Sequence, residues 1–229
     1  MKYLTLVEET RAGLLENVHI GMICGVNDQS QTCYQIGDDR HYTYFRSAAK
    51  PFQALPIFLT NIITKYGLTE EEAALFTASH RGESYHITAL ESMLRKLPVN
   101  EEELYCPPSY PLNVQSKEDM IRNGTKKRRL YHNCSGKHMG FITVCLELGY
   151  PIEGYWKKDH PLQLQILSIL SLLSELPVSE IHTGIDGCGV PVFAVPLKNM
   201  AAVYLKLACP DIIQDLPLQN ALKKMTAIM

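Results

Sequence analysis

The 229-residue chain has no excess of either charge: 22 Lys and Arg stand against 24 Asp and Glu, a net charge of −2. That balance gives no footing for nucleic acid or an anionic membrane as a partner. Long apolar runs are missing too. The longest, Ile166 to Leu173, is interrupted by Ser168 and Ser171 and falls short of the roughly 18 apolar residues of a membrane span. The opening stretch, Met1 to Glu9, turns acidic too soon to be a secretory signal. No Cys-x-x-Cys pair occurs, and the seven cysteines (24, 33, 106, 134, 145, 188 and 209) are odd in number and without framework spacing. A zinc finger and a disulfide scaffold are thereby excluded, and a reducing, cytoplasmic setting is expected. Internal repeats and low-complexity tracts are absent as well.

What is present reads as a globular chain with a sizeable core: 46% of residues are hydrophobic and 20% charged. Short β-favouring runs at 3–9, 18–25 and 31–37, parted by Gly13, Asn27-Asp28 and Gly37-Asp38-Asp39, predict a strand meander. Apolar residues at helical spacing from Phe52 to Ile63 predict a helix from Ala49 to about Gly67, packed under those strands. Thr69-Glu70-Glu71-Glu72 resembles a capping box opening a second helix, and Tyr85–Leu97 predicts a third. Residues 98–133 are loop-rich, with a short helix near 117–121, and suggest a lobe boundary or the rim of an active site. Helices are expected from Cys134 to Leu148, Pro161 to Leu173, Leu197 to Leu207 and onward from Leu216, with a late strand at 180–185. This order implies an α+β fold, a largely antiparallel sheet with helices packed on it.

Four stretches carry reactive side chains. Arg46-Ser47-Ala48-Ala49-Lys50 holds the sequence's one Ser-x-x-Lys pair. On a helical turn the two side chains share a face, and a serine needs such a base, with a lysine made neutral by burial or a nearby cation such as Arg46. The plainer reading is an exposed helix end. Ser79-His80 sits in a small polar segment whose default is an exposed loop. His132-Asn133-Cys134-Ser135-Gly136-Lys137-His138 is the densest cluster; Cys134, Lys137 and His138 come round to one side of a helix start. Zinc ligation and a capped, anion-binding helix N-terminus fit that spacing equally. Gly184-Ile185-Asp186-Gly187-Cys188-Gly189 is a sharp turn with either a ligand close to its backbone or simply a buried cysteine. Lys126 to Arg129 reads as a solvated basic loop.

Taken in order, Arg46 to Ala54, Ala78 to Glu83, Asn133 to Phe141 and Gly184 to Pro191 resemble the asparaginase II family, the Rhizobium-type (class 3) L-asparaginases. Asp159-His160-Pro161 and Phe193 to Leu197 fit the same pattern, so the resemblance spans residues 4–209. It implies hydrolysis of L-asparagine to aspartate and ammonia on a fold similar to serine β-lactamases and glutaminases, in a homodimer. Ser47 is then the nucleophile or its activator, Lys50 its base, and Ser79 a second catalytic serine. The resemblance makes Cys134, Lys137 and Cys188 the ligands of a zinc ion, with water as the fourth. Arg46, His138 and Asp186 hold the substrate, Asp186 its α-ammonium and Arg46 its α-carboxylate. Relative to the family, residues 1–229 read as a single asparaginase-like domain without a C-terminal portion of about a hundred residues, which carries a further lysine for the second serine. Arg81 is bulkier than the family pattern implies. Two other readings compete: a penicillin-recognising acyl-serine enzyme, which calls for a Lys-Thr-Gly element and an export signal, and an inactive asparagine- or metal-binding homologue.

Overall fold

The computed structural model describes residues 4–229. Strands β1 (Leu4–Arg11) and β2 (Leu14–Gly21) form one antiparallel hairpin, and β3 (Ile23–Val26) and β4 (Thr32–Ile36) a second. Residues 18–25 are thus two strands in two sheets, broken at Met22, and Tyr3 of the expected first strand lies outside the described residues. A third sheet joins β5 (Tyr42–Tyr44) to β6 (His182–Ile185) through β7 (Pro191–Pro196), in the order β5-β7-β6, antiparallel throughout. The fold is α+β, with small antiparallel sheets and helices packed around them.

Between β5 and β6 come α1 (Lys50–Phe58), α2 (Ile62–Lys65), α3 (Glu70–Ala74), α4 (Ser84–Lys96), α5 (Val114–Arg122), α6 (Ser135–Leu148) and α7 (Pro161–Ser174). After β7 follow α8 (Leu197–Ala208) and α9 (Leu216–Ile228). The helix expected over 49–67 is two helices, interrupted at residues 59–61. Rather than lying under the strands, α1 packs on α6, α7 and α9. Every residue of α1 is buried, as is α6 from Ser135 to Cys145. A helix apolar on all sides belongs inside, and these two carry the polar motifs into the core. Thr69 does form its capping box: its hydroxyl accepts from Glu72 N, and Glu72 Oε2 accepts from Thr69 N at 2.8 Å. No helix among the described residues is long and apolar enough to cross a membrane.

The three-stranded sheet sets the site. The hydrogen bond from Phe45 N to Phe193 O, 3.0 Å, extends the β5–β7 ladder up to Arg46. Because β5 runs antiparallel to β7, Arg46 emerges at the end of the sheet where β6 turns into β7. The turn is closed by Asp186 N to Val190 O and Gly189 N to Asp186 O, both 2.9 Å. Two motifs 140 residues apart in sequence therefore meet at one sheet end.

Candidate active site

Residues 46–49 form a 3-10 turn leading into α1. Arg46 has φ +51°, a left-handed conformation that costs a non-glycine residue on the order of 1 kcal/mol or more. From there its Nε and Nη2 reach Asp186 Oδ1 at 3.0 and 2.9 Å. Arg46 is two-thirds exposed and Asp186 mostly covered.

Lys50 is 1% exposed. Its ammonium donates to Ala78 O (2.9 Å), Ser79 Oγ (2.7 Å) and Asn133 O (3.0 Å), and none of its bonds goes to Ser47. Ser47 and Ser79 are both exposed. Burial holds Lys50 below the ordinary lysine range, with Lys137 adding repulsion and Cys134 opposing. The partners decide what the neutral amine does. Two are carbonyls, which only accept, so they take both of its N–H groups. The lone pair is left facing the Ser79 hydroxyl. That is the geometry of a general base.

His80 is buried beside Ser79. Ser135 Oγ donates to Leu130 O (2.9 Å), so it must accept from His80 Nε2–H (2.9 Å), while His80 Nδ1 accepts from Gly82 N (3.1 Å). This network fixes the neutral ring, and burial first, then His86 and Lys50, lower its pKa to about 4.

On the other side stand two thiols and an amine. Lys137 Nζ lies 3.4 Å from Cys188 Sγ and 3.3 Å from Gln53 Oε1, and all four groups are buried. Cys188 is pulled toward the thiolate, first by a hydrogen bond from Cys134 and then by His138 and Lys137; the same bond pushes the Cys134 thiol up. Tyr155 Oη accepts from Tyr105 N (2.8 Å), and its own proton has His138 Nδ1 (2.7 Å) as its one acceptor among the described residues, so His138 Nδ1 accepts from it. His138 Nε2 then carries the ring proton, and this buried atom has no hydrogen-bond partner among the described residues. Burial lowers the His138 pKa against the pull of Cys188. A cavity of about 440 Å³ opens over Asp186 and Cys188, walled by Tyr105, Pro107, Pro108 and Arg129.

A family model described as L-asparaginase II matches residues 7–229. The chain belongs to the asparaginase II family. It is therefore an L-asparaginase by family, an amidohydrolase acting on a small-molecule substrate. No curated protein matches the chain.

The structure brings the expected residues together as follows. Arg46 and Asp186 are paired; Lys50 and Ser79 are paired; Cys134, Lys137 and Cys188 meet, with His138 beside Cys188. Ser47 stands one 3-10 turn before Lys50; its carbonyl accepts from the Lys50 backbone N–H, and among the described residues its hydroxyl makes no bond to the Lys50 amine. Sequence reasoning gave no role to Gln53, Asn133, Ser135, Tyr155 or Arg129. Gln53 had a signal, being polar on an apolar helix face; Tyr155 and the Asn133 carbonyl had none.

Proposed function

We propose that the chain hydrolyses L-asparagine through a Ser-Lys acyl-enzyme mechanism in which Lys50 is the base for Ser79. The observation that carries this is the Lys50–Ser79 bond of 2.7 Å, with both remaining partners of the amine being carbonyls. The substrate's α-ammonium goes to Asp186 and its α-carboxylate to Arg46, which gives up its bond to Asp186. Neutral Lys50 takes the Ser79 proton, and the oxygen attacks the side-chain amide carbon. Lys50 returns the proton to the leaving nitrogen, ammonia departs, and the ester is cleaved by water activated by the same amine. His138 Nε2–H, buried and without a partner among the described residues, is a donor held ready for the substrate. Ser47 is a second hydroxyl of the site, and residues 1–229 act as one asparaginase-like domain.

The reading includes a zinc ion on Cys134, Lys137 and Cys188. Among the described residues no three His, Cys, Asp or Glu side chains cluster for a metal, so the lysine has to be the third donor. The residues fit that role: two buried sulfurs, with Cys188 drawn toward the thiolate, and an amine 3.4 Å from Cys188 Sγ suit zinc's preference for sulfur and nitrogen. Bound there, zinc supplies positive charge beside the cavity and ties α6 to the Gly184–Gly189 turn. A homodimer is part of the same reading, supported by the β1–β2 hairpin. Leu14, Leu15, Val18 and Ile20 stand at least half exposed on it, and exposed apolar side chains gathered on one hairpin suit a protein interface. The setting is cytoplasmic, on cysteine usage. Ammonia release from L-asparagine by the purified chain, with elemental analysis of the same sample, tests the proposal. Release with about one zinc per chain is expected; a well-folded chain that releases none removes the enzymatic reading.

A further inference from the structure

The basic run Lys126 to Arg129 is not a uniform solvated loop. Lys126 and Lys127 are exposed, but Arg128 and Arg129 are half-buried. Arg128 is consumed by Glu91 and Glu101 at 3.0 and 2.7 Å. Arg129 makes no ion pair among the described residues. Its Nη1 donates to the carbonyls of Cys106 (2.6 Å) and Tyr105 (3.5 Å), which orient the guanidinium without pairing its charge, although Glu102, Glu103 and Glu153 share a second cavity with it. It lines the cavity that holds Asp186 and Cys188.

The other groups of that cavity are met from outside its lining: Arg46 lies on Asp186, and Lys137 on the Cys188 sulfur. Arg129 is the charge left over. Its support is stiff, because the Tyr105 ring stacks on Trp156 at 3.9 Å, and Tyr105 N bonds the Tyr155 hydroxyl that also orients His138. A guanidinium has five N–H donors in a planar fork, and the remaining ones match a carboxylate. When Arg46 leaves Asp186 to the substrate's ammonium, the α-carboxylate is carried by the same α-carbon as that ammonium, and Asp186 and Arg129 line one cavity.

We propose that Arg129 is a second carboxylate anchor, holding the substrate's α-carboxylate together with Arg46 and making the site selective for amides that bear this group. The proposal rests on the asparaginase reading above. Its test uses two unreactive probes that differ only in the α-carboxylate, L-aspartate and β-alanine. Calorimetric affinities are measured for the native chain, Arg129→Gln and Arg129→Lys, with thermal melting as a folding control and ammonia release from L-asparagine measured in parallel. The native chain is expected to prefer L-aspartate. Arg129→Gln weakens L-aspartate roughly tenfold or more, as for loss of a charge-assisted bond, while leaving β-alanine nearly unchanged; Arg129→Lys restores part of the preference. An Arg129→Gln variant that keeps the native preference overturns the proposal, as does one that weakens both probes equally. A native chain that binds neither acid and releases no ammonia is a different result: it removes the asparaginase reading, and this inference falls with it.

Discussion

At the scale of single residues the site is governed by what each buried group has already spent. Lys50 has two carbonyls on its N–H groups, so its one remaining valence faces Ser79. Under the proposed mechanism its lowered pKa predicts that kcat/KM rises with pH through an acid limb below the ordinary lysine range. Lys50→Arg keeps the charge but cannot give up a proton at these pH values, so it is expected to lose at least about a hundredfold in kcat, the scale of a missing general base. An active Lys50→Arg variant with the native pH profile rules out this role for the amine. His80 gives a stability effect of definite sign. Its folded pKa, about 4, lies below the ordinary 6.5, so the unfolded chain binds the proton first on acidification. The stabilisation is complete above about pH 6.5 and is lost as pH falls toward 4, up to roughly 3 kcal/mol. His138, lowered likewise by burial, adds in the same direction. Urea unfolding between pH 7.5 and 4.5 checks it: His80→Gln is expected to flatten part of the slope, and an unchanged slope acquits His80.

At the scale of elements, α6 is placed by Gly136. A Cβ there would stand 2.4 Å from Leu75 O, at the end of α3. Alanine gains up to about 1 kcal/mol in helix propensity, but the obstacle is backbone and cannot rotate away. The clash wins, and Gly136→Ala is expected to lower stability by about 1–3 kcal/mol and to loosen Cys134 and Lys137; a melting temperature at or above the native one contradicts this. Much at this scale was legible. The capping box at Thr69, the bounds of α4, α6, α7 and α8, and the start of α9 follow from periodicity and caps. The central strand β7 was not. Pro191 and Pro196 at its two ends argue against a strand in sequence, yet both sit at terminal positions that a sheet tolerates. β5, with three residues, is too short for any alternation to show. Of the site, the motifs were legible as motifs. The exchange of partners that puts Lys50 on Ser79 was not, because it depends on the Asn133 and Ala78 carbonyls, and a backbone oxygen carries no residue signature.

At the scale of the whole molecule, one contiguous set of buried side chains runs from Phe45 to Met225, while the β1–β2 hairpin stands outside it with apolar side chains on view. An exposed patch of that kind marks an interface, and for the proposed homodimer the hairpin is the surface to test. Sedimentation velocity is expected to show two chains together, shifting toward one in Leu15→Asp/Ile20→Lys; a monomeric native chain removes the dimer. The same layout explains why a site can be assembled from distant segments. The three-stranded sheet brings Arg46 and Asp186 to one end, and buried helices α1 and α6 bring Lys50, Cys134 and Lys137 up from beneath. The measurement that tests the central claim most directly is ammonia release from L-asparagine by Ser79→Ala beside Ser47→Ala, each followed from pH 6 to 10. Ser79→Ala is expected to fall at least about a hundredfold, while Ser47→Ala keeps measurable turnover and the native acid limb of Lys50. Loss confined to Ser47→Ala, with Ser79→Ala active, would contradict it.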